Sequence, residues 1–438
     1  MTLLRTGVEK PRQIAVRILK RHAQQADYIE NLLEQELAGR SLLPADRGLV
    51  QELTFGVVRW QATLDWLIAQ KTPGRSQKAV LQILLRLGLY QMFWLERIPD
   101  HAIVHETVAM AKQLGFGPQA GFINAILRGY LRERQDTVKK LAEVKNGQPA
   151  LGYSHPAWLC QRWGKRWGEE NLRQLLKWNN TPPVTYARLN TLRATAGQLA
   201  ARWEQEGVRF VPRQWDWIHE GLLFELQSHP PLASLPSFEE GWFYIQDPST
   251  VLAVVELNPQ PAEAVLDLCA APGGKTTLIA QLMNNRGMIM AQDPHIARRD
   301  LVRENCARLG VTMVRLARAS TNIHTELSEP YDRVLVDAPC SNTGVTRRRV
   351  DLRWRIRPQE IERLHAAQLD LLNNAAVQVK PGGTLVYGTC SLEPEENEGI
   401  AQAFLERHRG FRLEKERTLL PFVEGVDGAY VARMVKVA

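Results

Sequence analysis

From Ser249 onward the chain alternates short, unbroken apolar runs with stretches of helical periodicity, and that alternation leaves very few folds open to it. The runs are Ala264-Val265-Leu266-Asp267-Leu268, Met288-Ile289-Met290-Ala291-Gln292, Arg333-Val334-Leu335-Val336 and Thr384-Leu385-Val386-Tyr387-Gly388. Each suits a parallel strand covered on both faces. Helical segments lie between them, for example 360 to 379, which stops at Lys380-Pro381-Gly382-Gly383. A doubly wound α/β sheet is predicted, with ligands at the carboxyl ends of its strands.

The first third reads differently. From about Arg12 to Arg134 apolar residues recur at spacings of three and four, as in Leu49, Leu53, Val57, Trp60, Leu64, Leu67 and in Val80, Ile83, Leu84, Leu87, Tyr90, Trp94. These patterns predict amphipathic helices, each with one buried stripe. Around the stripes lie Arg17, Lys20, Arg21, Arg47, Arg59, Arg128, Arg132 and Arg134, and half or more of these are ordinary solvated surface on this reading. The stretch 143–152 loses the periodicity and carries Pro and Gly, so a linker is expected there. Helical stretches with Trp158, Trp163, Trp167 and Trp178 follow, then strand-like runs at 184–189 and 221–226, which make a small mixed α/β, RRM-like module. The predicted organisation is residues 1–142 helical, 150–248 mixed α/β and 249–438 the doubly wound domain.

Charge and cysteine usage narrow the partners. Lys plus Arg number 55 against 47 Asp plus Glu, a net charge of +8, which favours a polyanionic partner such as nucleic acid, a generally basic soluble protein being the bland alternative. Five cysteines, with no C-x-x-C pair and no Cys/His ligand spacing, argue against a disulfide framework and a structural zinc, and no metal is expected. Residues 1 to 13 lack a signal peptide's apolar run, and no apolar stretch approaches the roughly 18 residues of a membrane helix. A cytoplasmic protein without membrane contact is expected, acting as a monomer.

The chemistry sits at the predicted strand ends. Cys269, Ala270, Ala271, Pro272, Gly273, Gly274 and Lys275 form a glycine-rich turn between a strand and a helix, where backbone N–H groups approach a ligand closely. A phosphate-binding P-loop needs Gly where Cys269 stands, and the G-x-G-x-x-G dinucleotide fingerprint is absent. A nucleoside cofactor without phosphates, S-adenosylmethionine, fits better. Asp293 ends the next run and is placed to accept hydrogen bonds from ribose hydroxyls, although a lone Asp at a strand end is more often a turn residue. Two cysteines follow later runs: Cys340 in Asp337-Ala338-Pro339-Cys340-Ser341 and Cys390 in Thr389-Cys390-Ser391. An arbitrary cysteine is a small buried hydrophobe, and Cys160 and Cys306 are read so. Two thiols at adjacent strand ends beside a nucleoside site suit methylation of a pyrimidine at C5, because C5 becomes nucleophilic only after a nucleophile adds to C6.

Asp267 to Thr276, Asp337 to Ser341 with Thr343-Gly344-Val345, and 387–391 (YGTCS) together resemble the RNA cytosine-5 methyltransferases. The front region, through Ala45-Asp46-Arg47 to Asp65-Trp66-Leu67 and through 123–128 (INAILR), resembles the NusB RNA-binding domain. With both, the chain is similar to the bacterial RsmB (Fmu/Sun) group, which methylates 16S ribosomal RNA. That resemblance implies Cys390 as the nucleophile, Cys340 in product release, and Asp337 in contact with both the cytosine edge and the cofactor. It also implies that residues 269–275 and Asp293 line the cofactor pocket. Lys275 offsets charge developing on the ring or lowers a thiol pKa. Two positions depart from the family pattern. Arg318 stands where an acidic residue usually contacts the adenine amino group, and a guanidinium accepts no hydrogen bond. Arg349-Val350 replaces His-Pro within a run holding Arg347, Arg348, Arg349, Arg353, Arg355 and Arg357, for which phosphate contacts are expected, a solvated loop being the bland alternative. The rival readings are a transfer-RNA methyltransferase and an RNA-binding assembly factor whose methyltransferase domain is inactive, the latter motivated by Arg318.

Overall fold

The computed structural model describes residues 9–317 and 330–437. Arg318 lies outside them. The chain divides into two compact units: Met1–Thr181 with Thr346–Arg355, and Pro182–Val345 with Ile356–Ala438.

The first unit is helical. The stripe at 49–67 is shared by two helices, Pro44–Arg59 and Gln61–Lys71, which break at Trp60. Leu53, Val57, Leu64 and Leu67 are buried, as are Ile83, Leu84, Leu87 and Tyr90 of the helix Ala79–Trp94. Each such aliphatic side chain contributes about 1.5–3 kcal/mol on leaving water, so the stripes carry the unit's stability. The expected linker is instead helical, Arg134–Gly147 followed by Pro149–Gly152 with Pro149 in the first turn, where a missing N–H costs nothing. The helix Ala157–Asn180 also clusters with this unit, so the compact body runs past the predicted boundary to Thr181.

The segment Thr346–Arg355 belongs to the helical unit although the chain on either side of it does not. Val350 is 1% exposed within the helical core. Trp354 Nε1 donates to the Val58 carbonyl at 2.8 Å. Asp351, fully buried, accepts the Ile29 N–H at 3.1 Å and lies 3.0 Å from Arg355 Nε. Arg353 donates to the carbonyls of Asn179 (2.9 Å) and Ser154 (3.2 Å) and to Asn180 Oδ1 (2.8 Å), and burial pulls its pKa down to about 9.

The second unit holds two sheets. The smaller contains β1 (Thr185–Leu189), β2 (Arg209–Trp215), β3 (Ile218–Ser228) and β4 (Phe243–Ile245), antiparallel in the order β2-β3-β1-β4. It packs on Trp203 of the helix Ala196–Gln205. The larger contains β5 (Ala264–Leu268), β6 (Met288–Gln292), β7 (Val314–Leu316), β8 (Tyr331–Asp337), β9 (Val379–Thr389), β10 (Phe411–Leu419) and β11 (Ala429–Lys436) in the order β10-β11-β9-β8-β5-β6-β7. Strands β5 to β9 pair in parallel, while β11 joins β9 and β10 joins β11 in antiparallel fashion. The chain leaves β5 toward β6 and β7, then returns to β8 on the other side. That reversal opens a crevice at the carboxyl end of β5. No helix among the described residues is long and apolar enough to cross a membrane.

Candidate active site

The end of β5 delivers the glycine turn. Cys269 holds a left-handed φ of 62°, and Gly273 caps the helix Gly274–Leu282 with φ 101°, a conformation that L side chains rarely adopt. A Cβ at Gly273 would also meet the Val302 backbone at 3.3 Å. Within the first turn of the helix, Thr276 Oγ1 donates to Asp267 Oδ2 at 2.6 Å. Asp267 is fully buried, and burial, reinforced by the charge of Asp337 against the Thr276 bond, pushes its pKa up to about 7. Burial likewise raises the Cys269 thiol to about 12, which suits packing and not nucleophilic work.

A buried arginine that the sequence reading overlooked braces this turn. Arg188 of β1 is 1% exposed and donates to the Gly274 carbonyl (2.7 Å), Thr277 Oγ1 (3.0 Å) and Gln246 Oε1. Its signal was a cation inside an apolar strand run. Tyr244, Gln246 and Asp247 line, with Ala271, Lys275 and Asp337, a cleft of about 190 Å³.

Asp293 follows β6 and is 3% exposed. Its Oδ1 accepts the His295 N–H at 3.0 Å, whereas Oδ2 accepts no hydrogen bond among the described residues and has the Arg298 guanidinium at 3.4 Å. Asp267 Oδ1 is also buried without a hydrogen bond among the described residues. Asp267 Oδ1 and Asp293 Oδ2, neither of which accepts a hydrogen bond among the described residues, fit a ligand that brings hydroxyl and ammonium donors, as S-adenosylmethionine does.

Strands β8 and β9 bring the remaining residues. Ala338 N–H donates to the Gly388 carbonyl at 2.9 Å, which joins the two strand ends. Asp337 Oδ2 accepts from Lys275 Nζ at 2.6 Å; burial opposes the ammonium, but Asp337 outweighs it and holds Lys275 above its ordinary value. Cys340 and Cys390 stand with their sulfurs 3.4 Å apart. The hydrogen bond to Cys390, with burial added, raises the Cys340 thiol well above the ordinary value. Cys390 donates to Asn342 Oδ1 at 2.9 Å, and Asn342 Nδ2 is held by the Cys340 carbonyl at 2.6 Å. Gly344 N–H donates to the Cys390 carbonyl at 2.9 Å, and a Cβ there would meet that oxygen at 2.8 Å, so a larger residue would push the cysteine loops apart.

The arginine run is placed differently from the expectation of phosphate contacts. Arg347 is 1% exposed with its guanidinium 3.9 Å from the Trp178 ring centroid, inside the helical unit, because an aromatic face satisfies a weakly hydrated guanidinium. Arg353 is buried as described above. Arg348 is half-buried, and Arg349 is exposed beside Tyr28.

Comparison with known proteins agrees with this layout. The profile "16S rRNA methyltransferase RsmB/F" matches residues 254–434, the NusB family residues 9–132, and an RsmF/B-like ferredoxin-like domain residues 155–227. A probable ribosomal RNA small subunit methyltransferase B of Bacillus subtilis is 34% identical over 453 aligned residues, covering 97% of this chain and 98% of that protein. The ribosomal RNA small subunit methyltransferase B of Vibrio cholerae is 36% identical over 409, covering 91% and 92%. Among solved structures, a methyltransferase homolog protein from Pyrococcus horikoshii is 32% identical with a TM-score of 0.58, covering 66% of this chain and 97% of that one. The fold of PH0851 matches with a TM-score of 0.78 at 23% identity, covering 98% and 100%.

Proposed function

Because this chain belongs to the RsmB/F family of 16S rRNA methyltransferases, we propose that it methylates C5 of a cytosine in small-subunit ribosomal RNA through a covalent Cys390–C6 adduct. The observation that carries the reading is the pair of sulfurs 3.4 Å apart at the ends of adjacent parallel strands, beside the glycine turn. S-adenosylmethionine, when bound, supplies the methyl group. Residues 269–275 and Asp293 would hold it, with Asp293 placed to accept hydrogen bonds from hydroxyl groups and Asp267 Oδ1 left as a further acceptor.

The rest of the chemistry belongs to the chain. Cys390 Sγ loses its proton to water and gives its electron pair to C6, and the C5=C6 pair moves to C5. Lys275, held charged by Asp337 at 2.6 Å, offsets the negative charge that spreads onto the ring, while Asp337 takes the cytosine amino edge. After methylation Cys340, its own proton released to water, takes the C5 proton, the S–C6 bond breaks with its pair returning to Cys390, and the ring double bond returns. The target base must be unstacked to reach Cys390, so the substrate is a loop or an opened helix.

The test is a covalent trap on ribosomal RNA. Cys390→Ala is expected to abolish turnover and any RNA–protein band that survives denaturing electrophoresis. Cys340→Ala is expected to accumulate that band, since attack and methyl transfer proceed but release does not. A reversed pattern moves the nucleophile to Cys340, and active variants without a band overturn the covalent mechanism.

A further inference from the structure

Beneath the two sulfurs lies a carboxylate that the proposed chemistry does not touch. Glu396 is fully buried. Its Oε1 accepts the backbone N–H of Ser341 at 2.8 Å and Gln368 Nε2 at 3.0 Å, and its Oε2 accepts Ser391 Oγ at 2.5 Å. Ser341 follows Cys340, and Ser391 follows Cys390. Gln368 also donates to the Pro339 carbonyl at 2.9 Å, on the other side of Cys340. All three donors are uncharged. A buried charge held only by neutral donors is costly, and a neutral side chain would fill the same space at less cost. Its retention calls for a use of the charge.

We propose that Glu396 is a positioning residue whose buried carboxylate holds the two cysteine loops at their spacing and assigns the two sulfurs different roles. This rests on the covalent reading above and deepens it. The spacing follows from the geometry: one carboxylate joins the main chain after Cys340 to the hydroxyl after Cys390. The roles follow from the charge. After the Cys390 hydrogen bond, burial and the charge of Cys390, the charge of Glu396 also opposes ionisation of Cys340. Cys390 is then the sulfur left to attack C6, once the proton it holds toward Asn342 Oδ1 at 2.9 Å has gone to water. Cys340 keeps its proton while the S–C6 bond forms. Once Cys390 is a thioether, its charge and hydrogen bond no longer restrain Cys340, which releases its proton to water and then takes the C5 proton.

The test uses the intact chain without RNA. Cys340 and Cys390 are alkylated with iodoacetamide between pH 7 and 9 and resolved by peptide mass spectrometry, and dibromobimane, which bridges only neighbouring thiols, reports the spacing. Wild type should label faster at Cys390. Glu396→Gln keeps the shape and removes the charge, so bridging should persist while the preference for Cys390 falls by about tenfold, the equivalent of one pKa unit. Its kcat should fall with it at unchanged KM for RNA. Glu396→Ala should lose bridging as well. Unchanged labelling preference and kcat in Glu396→Gln, with only a lower Tm, would overturn the proposal. Should that variant not fold, Ser391→Ala, which removes the Oε2 contact together with the Ser391 Oγ bonds to the Glu393 N–H and to Ser341 Oγ, must still show a partial loss of bridging, and full retention overturns the spacing role. If the preference shifts as expected but Cys340→Ala traps no RNA, the positioning role stands and the covalent reading fails.

Discussion

Both units bury charges of both signs, Asp351 in the helical unit and Arg188 in the other among them, and two sets of these charges are used differently. The helical unit buries cations: Arg353 turns its terminal nitrogens to two main-chain carbonyls and an asparagine, and Arg347 lies on the face of Trp178. The catalytic unit buries carboxylates, and two of them, Asp267 and Asp293, each keep an oxygen without a hydrogen bond among the described residues. Cations that meet main-chain acceptors fix a segment in place. The open oxygens of Asp267 and Asp293 are the ones we propose to meet a ligand. The difference teaches that burial of a charge does not mark a site by itself; the direction in which its remaining valence points does.

Four variants test this contrast. The largest effect is expected for Arg353→Ala, which strands three acceptors and opens a cavity; unfolding by denaturant should show a loss of about 5 kcal/mol, with cofactor affinity unaltered in the folded fraction. If cofactor affinity falls with stability, the cations are not merely structural. Next comes Asp267. Its folded pKa is raised from 3.8 to about 7, so the fold favours the protonated form. The stability this group contributes is full below pH 4 and lost as pH rises toward 7, on the order of 4 kcal/mol at most. Asp267→Asn should flatten the stability profile across that window, and an unchanged slope would reject the assignment. Asp293→Ala should weaken S-adenosylmethionine binding by calorimetry by roughly 1.5–3 kcal/mol, with Tm nearly constant. A variant that loses Tm but not affinity would place Asp293 with the structural charges. The smallest effect belongs to Arg349→Ala, an exposed cation we propose to meet a phosphate: RNA affinity should drop a few-fold and the salt slope by about 1. Identical slopes would leave that run without a direct RNA contact.

Strand β5 and strand β6 begin and end where their apolar runs do, since a strand covered on both faces writes its burial into composition. Cys340 and Cys390 were legible for a related reason, because both follow such runs and parallel strands end on one side of the sheet. Strands β2 and β10 were not legible. Phe411–Leu419 buries little beyond its two end residues, and a charged edge strand has no apolar period to read. Arg353 was not legible as a buried residue because it finds its acceptors at Ser154, Asn179 and Asn180, far away in sequence, and no local pattern encodes such partners. Glu396 and Arg188 escaped for the same reason. Each satisfies loops that meet only after folding.

The excursion Thr346–Arg355 has a consequence for how this chain can be taken apart. The polypeptide passes from one unit to the other after Thr181, after Val345 and after Arg355. A cut at residue 181 therefore does not release a finished front half: the fragment would lack Val350 and Trp354 from its interior and Asp351 from its capping contacts. The remainder would carry ten residues shaped for a body it no longer has. The halves are not interchangeable cassettes, and shuffling either one between relatives requires that the excursion travel with the helices it completes.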